Sequence, residues 1–234
     1  MSVDGGTRSA ASPAAACQHP RRLILRLLSM VTGLLLYAVG IVMTIKANIG
    51  YSPWDVFHTG LSLKTGLSIG TVSIFVGIII VLLVTLLKEK LGLGTVFNII
   101  LIGTFIDILF NFDIIPKAGN RVTGTVMLIS GLFVIATGSY FYIKSAFGAG
   151  PRDNLMVVMA RRTKLPVGLC RGVIELIVTV SGWILGGMVG FGTVISVIAI
   201  GFCIQIVFKL FRFDVTAVKH ETLGDTFAKI RKKR

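Results

Sequence analysis

Six uninterrupted apolar runs constrain this chain more than any other feature; they cover about 23–45, 67–87, 93–112, 122–143, 166–187 and 191–211. Roughly 20 consecutive apolar residues, wound as a helix, cross the hydrocarbon of a bilayer. No water is available there, so each segment must satisfy its own N–H and C=O groups, which a helix does. Barrel strands would appear as short alternating segments, and the sequence has none. The chain therefore reads as an all-α membrane protein with six transmembrane helices. Composition agrees: apolar residues make up 54% and charged residues 15%, against about 45–50% and about 25% in soluble domains.

The net charge of +14 would suggest nucleic acid if the chain were soluble. Here the 24 Lys and Arg lie almost wholly outside the apolar runs, so they report orientation and contact with anionic lipid, and no nucleic-acid partner is expected. With the amino terminus in the cytoplasm, 20 of them fall inside and only Lys46, Lys64, Lys117 and Arg121 outside. Both termini are thus expected in the cytoplasm. Residues 1–22, rich in Ala, Ser and Gly, read as a disordered cytoplasmic tail. Residues 212–234 read as a basic cytoplasmic tail suited to anionic lipid or an acidic partner. The first apolar run is too long for a signal peptide and lacks a clear cleavage site, so an uncleaved span is expected. Cys17, Cys170 and Cys203 have no ligand spacing, which argues against a disulfide framework, a zinc site or another metal site.

Shifted by 98 residues, the sequence matches itself. Gly33 falls on Gly131, Gly40 on Gly138, Lys46 on Lys144, Gly50 on Gly148, Pro53 on Pro151 and Asp55 on Asp153. Residues 92–96 fall on 190–194, and Gly103 falls on Gly201. From 33 to 110 there are 24 identities in 78 positions, without a gap. Shared apolar composition would align Leu and Ile, but not seven glycines, a proline, an aspartate and a lysine. The expected organisation is membrane repeat 1 over 23–112 and repeat 2 over 122–211. Three spans per repeat is an odd number, so the second copy is expected upside down relative to the first. Many secondary transporters have such inverted repeats.

Each repeat has a short segment after its first span. Ser52 or Gly150 is placed as N-cap, Pro53 or Pro151 at the first helical position, and Asp55 or Asp153 at the third. The helices that follow, to about Leu63 and Arg162, are too short to span and are expected to be re-entrant or interfacial. The aspartates read as partners of the helix dipole. A sharper reading brings both helix starts together near the midplane, where free N–H groups with Lys46 and Lys144 would hold an anionic group. The candidate substrate-binding residues are Lys46, Asn48, Ser52, Trp54, Asp55, His58, Lys144, Arg152 and Asp153. Asp55, Thr59 and Ser62 share one face of the first short helix, expected toward a cavity or water. His58 reads as a solvated loop histidine. Trp54, Trp183 and Tyr51 read as interfacial anchors.

Polar residues inside spans are few. Asp107 reads either as reaching the headgroups or as a proton-coupling carboxylate, and its repeat partner is Gln205. Arg171 and Glu175 stand four residues apart and can pair. Asn98 and Ser196 read as bridges between helices, and the glycine rows 33/40 and 131/138 as close-packing surfaces.

The motifs Gly50-x-Ser52-Pro53-Trp54-Asp55, Gly66-Leu67-Ser68-x-Gly70-Thr71, Gly92-x-Gly94-Thr95 and Gly148-Ala149-Gly150-Pro151-Arg152-Asp153 carry a family resemblance. Over about residues 25–220 the chain resembles the YczE branch of the YczE/YyaS/YitT family of bacterial integral membrane proteins. The resemblance implies a multi-pass protein of the bacterial cytoplasmic membrane. It brings no substrate and no catalytic residues.

No nucleotide loop or catalytic constellation appears, so an enzyme is not expected, nor is a cofactor. The leading reading is a small secondary transporter or exporter of an unidentified small solute, an anion among the candidates, with its site between the inverted repeats. The rival is an accessory membrane protein that docks or stabilises a partner enzyme or complex. Six spans make a small body, for which a homodimer is a candidate assembly.

Overall fold

A computed structural model of the chain describes residues 13–87, 92–148 and 150–213, and all regular structure among them is helical. Eight helices follow in order: α1 (Pro13–Lys46), α2 (Pro53–Thr65), α3 (Ile69–Leu86), α4 (Leu93–Asn111), α5 (Arg121–Lys144), α6 (Pro151–Thr163), α7 (Val167–Ile184) and α8 (Phe191–Leu210). Five hold a stretch long and apolar enough to cross a bilayer: α1 from Leu23, α3, α4, α5 and α8. A sixth candidate is α6 with α7, bent by 120° at their junction. The expected tail over 1–22 is shortened, because α1 starts at Pro13. Proline suits a first helical turn, and Ala14, Ala15 and Ala16 have the highest helix propensity. Lys88, Lys90 and the basic tail beyond residue 213 lie outside the described residues.

Large apolar side chains cover the outside, among them Phe75, Ile79 and Leu82 on α3, Leu176 and Ile177 on α7, and Ile198 and Phe202 on α8. In water such a surface would associate; against lipid tails it has nothing to escape from.

The helices form two groups. In the first, α1 and α5 share the longest seam, with α4 against α1 and α8 against α5. Gly33 faces Gly138 and Gly40 faces Gly131, so α1 and α5 run antiparallel. A Cβ on Gly33 would lie 2.6 Å from the Tyr142 backbone nitrogen, and one on Gly40 2.7 Å from the Gly131 carbonyl oxygen. Leu34, Ala38 and Val42 pack there with Leu132 and Ala136, all buried. The second group gathers α2, α3, α6 and α7 around Trp54, Val72, Val76, Ile80, Val84 and Val158.

The matching loops have matching backbones. Asn48 and Ala146 are left-handed (φ 54° and 60°), as are Gly50 and Gly148 (φ 118° and 129°), and Gly66 and Lys164 (φ 73° and 58°). Each loop docks on the last helix of the other half. Gly94 N donates to Phe147 O at 2.8 Å, and Gly192 N donates to Ile49 O at 2.8 Å. Gly50 and Gly148 need to be glycine twice over: their φ suits no side chain, and a Cβ at either would lie 2.8 Å from backbone of Gly190 or Gly92.

Asp107 is engaged within the bundle. Its carboxylate caps α3 from the neighbouring α4, accepting from Gly70 N at 2.8 Å, Ser68 Oγ at 2.6 Å and Thr71 Oγ1 at 3.3 Å. A negative charge is favoured at that end of a helix. Asp107→Ala is expected to cost about 1–3 kcal/mol by orphaning these donors. Chemical unfolding in detergent measures it, and an unchanged midpoint would show that the cap contributes nothing.

Candidate functional site

Between the two helix groups lies a cavity of about 250 Å³, and the starts of both short helices reach it. Chain geometry explains why. Ser52 and Gly150 are extended (φ −66°, ψ 155° and φ −62°, ψ 157°), and a proline fixes the first helical residue after each. Helix α2 then brings Trp54 and His58 to the cavity, and α6 brings Arg152 and Asp153. Ser52 caps unusually: its hydroxyl donates to the Asp55 carboxylate and accepts from no backbone N–H.

Helix α2 is enclosed more fully than an amphipathic reading allows. Asp55, His58 and Thr59 are buried, and so are Val56 and Gly60 from the opposite face. The enclosing helix is α7, whose glycines admit it: a Cβ on Gly182 would sit 2.4 Å from Phe57 N. Thr59 offsets its burial by donating to Asp55 O at 2.6 Å. His58 is therefore not the solvated loop histidine its polar neighbourhood suggested; it is 2% exposed in the cavity wall.

Trp54 is likewise no interfacial anchor. It is 7% exposed, and the Arg152 guanidinium lies over its ring, 4.8 Å from the centroid. Such a contact contributes roughly 0.5–2 kcal/mol and holds the guanidinium in place. Arg152 makes no hydrogen bond or ion pair among the described residues. Its field reaches Asp55, His58 and Tyr37. Arg171 and Glu175 also border the cavity and pair at 2.8 Å, as their spacing predicts.

Three buried polar atoms among the described residues have no partner: Trp54 Nε1, His58 Nε2 and Tyr142 Oη. All three residues line this one cavity. Buried polar groups are bonded in the great majority of cases, so three orphans in one wall mark a place where a ligand or water completes the structure. Asn98, read as an interhelical bridge, also lines the cavity, whereas Ser196 bonds back within its own helix to Gly192 O at 2.7 Å.

The remaining candidates stand elsewhere. Lys46 ends α1 and pairs with Asp113. Lys144 ends α5 and donates to Tyr140 Oη at 3.0 Å. Because α1 and α5 are antiparallel, the two lysines go to opposite ends and do not converge on one anion. Asn48 lies beside Lys46, in a separate surface pocket. Gln205 is exposed on α8 and bonds to no described residue. Tyr37 and Tyr142 were missed as candidates; a hydroxyl placed in mid-span, needing a partner, was the available signal.

Fold and site together define a class: a multi-span helical membrane protein with two short helices that open onto a polar-walled central cavity. The chain belongs to the family described as "Family of unknown function (DUF6198)", which matches residues 24–209. It is 37% identical over 188 residues to "Uncharacterized membrane protein YczE" of Bacillus subtilis, covering 79% of this chain and 86% of that protein. It is 33% identical over 177 residues to an "Uncharacterized protein" of Haemophilus influenzae, covering 74% and 80%. It is also 28% identical over 170 residues to "Uncharacterized protein YyaS" of Bacillus subtilis, covering 70% and 83%. No solved structure matches the chain.

Proposed function

We propose that the protein is a small secondary transporter or exporter, without a catalytic step, whose two halves act as inverted repeats around the cavity. The observation that carries this reading is an asymmetry between matching contacts. Helix α3 rests on α4 at Gly70 and Gly103, where a Cβ on Gly70 would lie 2.0 Å from Gly103 O. The matching residues Gly168 on α7 and Gly201 on α8 have no described atom within 4 Å of a Cβ, and α7 forms no comparable seam with α8. Likewise Asp107 caps α3, while its counterpart Gln205 has no partner near α7.

Exchanging the roles of the halves gives a second state, in which α7 closes on α8 and α3 leaves α4. The second helix group rocks against the α1–α5 scaffold, and the cavity opens first to one side and then to the other. The closed contacts lie toward the Lys46 end. With that cation-poor end outside, as the charge distribution predicts, this reading makes the described arrangement the inward-open one, in a cytoplasmic membrane.

The test is exchange in proteoliposomes, with labelled organic anions, cations and sugars offered to vesicles preloaded with the same solute. Saturable, protein-dependent exchange of one class is expected. A solute that binds the purified protein but never exchanges would overturn the transport reading in favour of a receptor or docking role.

A further inference from the structure

We propose that the central cavity selects a small organic monoanion: a monocarboxylate with an apolar body, of about ten non-hydrogen atoms, held at its charged end by Arg152 and the Trp54 N–H. This rests on the transport reading only in taking the cavity as the site through which substrate passes.

The unmatched groups in the wall are mainly donors. Trp54 Nε1 can only donate, Arg152 carries five donors, and the Tyr142 hydroxyl has a proton to give. His58 Nε2 takes either role according to its tautomer. The carboxylates nearby each have a partner already. Glu175 is held by Arg171, Asp55 accepts from Ser52, and Asp153 has a partner of its own. Asp55 lies within the field of Arg152 but forms no ion pair with it. The unmatched donors, together with the Arg152 guanidinium, therefore suit an acceptor-rich group carrying one negative charge.

Neutralising Arg152 matters because a part-buried charge without a partner is costly, and a carboxylate matches its planar fork with two parallel hydrogen bonds. Trp54 holds that fork from below, so little rotamer freedom remains to be lost on binding. A phosphate dianion would need a second free cation, and the other arginine of the cavity is committed to Glu175. Ile99, Ile102, Ile200, Ile204 and Phe208 also line the cavity, and they fit a hydrocarbon body. Size follows from volume. A cavity of about 150 Å³ takes benzene, with six carbons, so about 250 Å³ takes a molecule near ten atoms.

Phenylacetate is a suitable probe. The chain has two tryptophans, so in a Trp183→Phe background the emission of Trp54 reports the cavity alone. Phenylacetate is expected to shift that emission saturably and to raise the thermal midpoint of the purified protein. Phenylacetamide, phenethylamine and succinate are expected to do neither at the same concentration. Arg152→Gln should weaken phenylacetate by about tenfold to a hundredfold, and Arg152→Lys, which keeps the charge without the fork, by less. Should Arg152→Gln fail to fold, Trp54→Phe and Tyr142→Phe in otherwise wild-type protein, read by thermal shift, test the other donors.

Equal binding of the amide or the amine, or undiminished binding in folded Arg152→Gln or in both phenylalanine variants, would overturn the assignment. Carboxylate binding without exchange defeats the transport reading and leaves this one standing. Exchange of a cation or sugar, with no carboxylate bound, defeats this one alone.

Discussion

Gly201→Val is expected to leave the protein folded, inserted and able to bind ligand, while lowering its flux by about fivefold to a hundredfold. In this structure a side chain at Gly201 meets no described atom, so valine there costs little. The proposed second state would bring Gly201 against Gly168 as Gly103 now meets Gly70. A Cβ at Gly103 would lie 2.6 Å from Gly70 O and 2.5 Å from Ile74 Cγ1, closer than van der Waals contact permits. Overpacking of this kind costs about 1–3 kcal/mol. Charged to one of two exchanging states alone, that moves their ratio by about five- to a hundredfold. The mirror-image variant, Gly103→Val, loads the same cost onto the state seen here and is expected to lower the thermal midpoint. Proteoliposome exchange with unfolding curves for both variants separates the cases. Full flux in a folded Gly201→Val protein would end the account in which α7 closes on α8.

The spans were readable in the sequence because one external length, the thickness of hydrocarbon, sets them all. Every expected boundary but the first falls within about three residues of a helix end; α1 starts at Pro13, ten residues before the expected start at 23. The loops were readable because the repeat placed proline and glycine at matching positions, and those residues have few conformations open to them. Burial of α2 was not readable in the same way. Its polar and apolar faces look like those of a helix lying at a water boundary. What encloses it is Gly182 and Gly187 on α7, far along the chain, whose missing side chains admit its backbone.

The site was readable in part, and the error has a geometric cause. Lys46 and Lys144 stand a few residues before the short helices, so nearness in sequence suggested nearness in space. Between lysine and helix, however, the chain passes through left-handed residues at 48 and 50, and at 146 and 148. These turn the short helix back toward the cavity and leave each lysine at its own end of the bundle. Arg152, Trp54 and His58 do line the cavity, because they sit on the short helices themselves. Tyr142 required the α1–α5 seam, which no single-segment pattern contains.

That seam is the basis of the second large effect. Gly138→Val is expected to destabilise the protein by more than about 3 kcal/mol, enough to lose most folded material from a total of about 5–15 kcal/mol. A Cβ on Gly138 would lie 2.7 Å from Gly33 O, 2.7 Å from Tyr37 N and 3.1 Å from Tyr37 Cα, all backbone atoms of a packed helix. No rotamer change relieves such contacts, so α1 and α5 must separate. Separation costs dispersion energy along the whole seam, and in lipid the helices have little else to hold them together. It also displaces Tyr37 and Tyr142, which come from the seam to the cavity wall. Gly138→Ala, with one methyl, should show the same defect in milder form. Gly172→Val is the control, since a Cβ there meets no described atom within 4 Å. Yield of monodisperse protein and the midpoint of thermal unfolding measure all three. If Gly138→Val were as stable as Gly172→Val, the close approach of α1 to α5 would be wrong, and with it the placement of both tyrosines at the site.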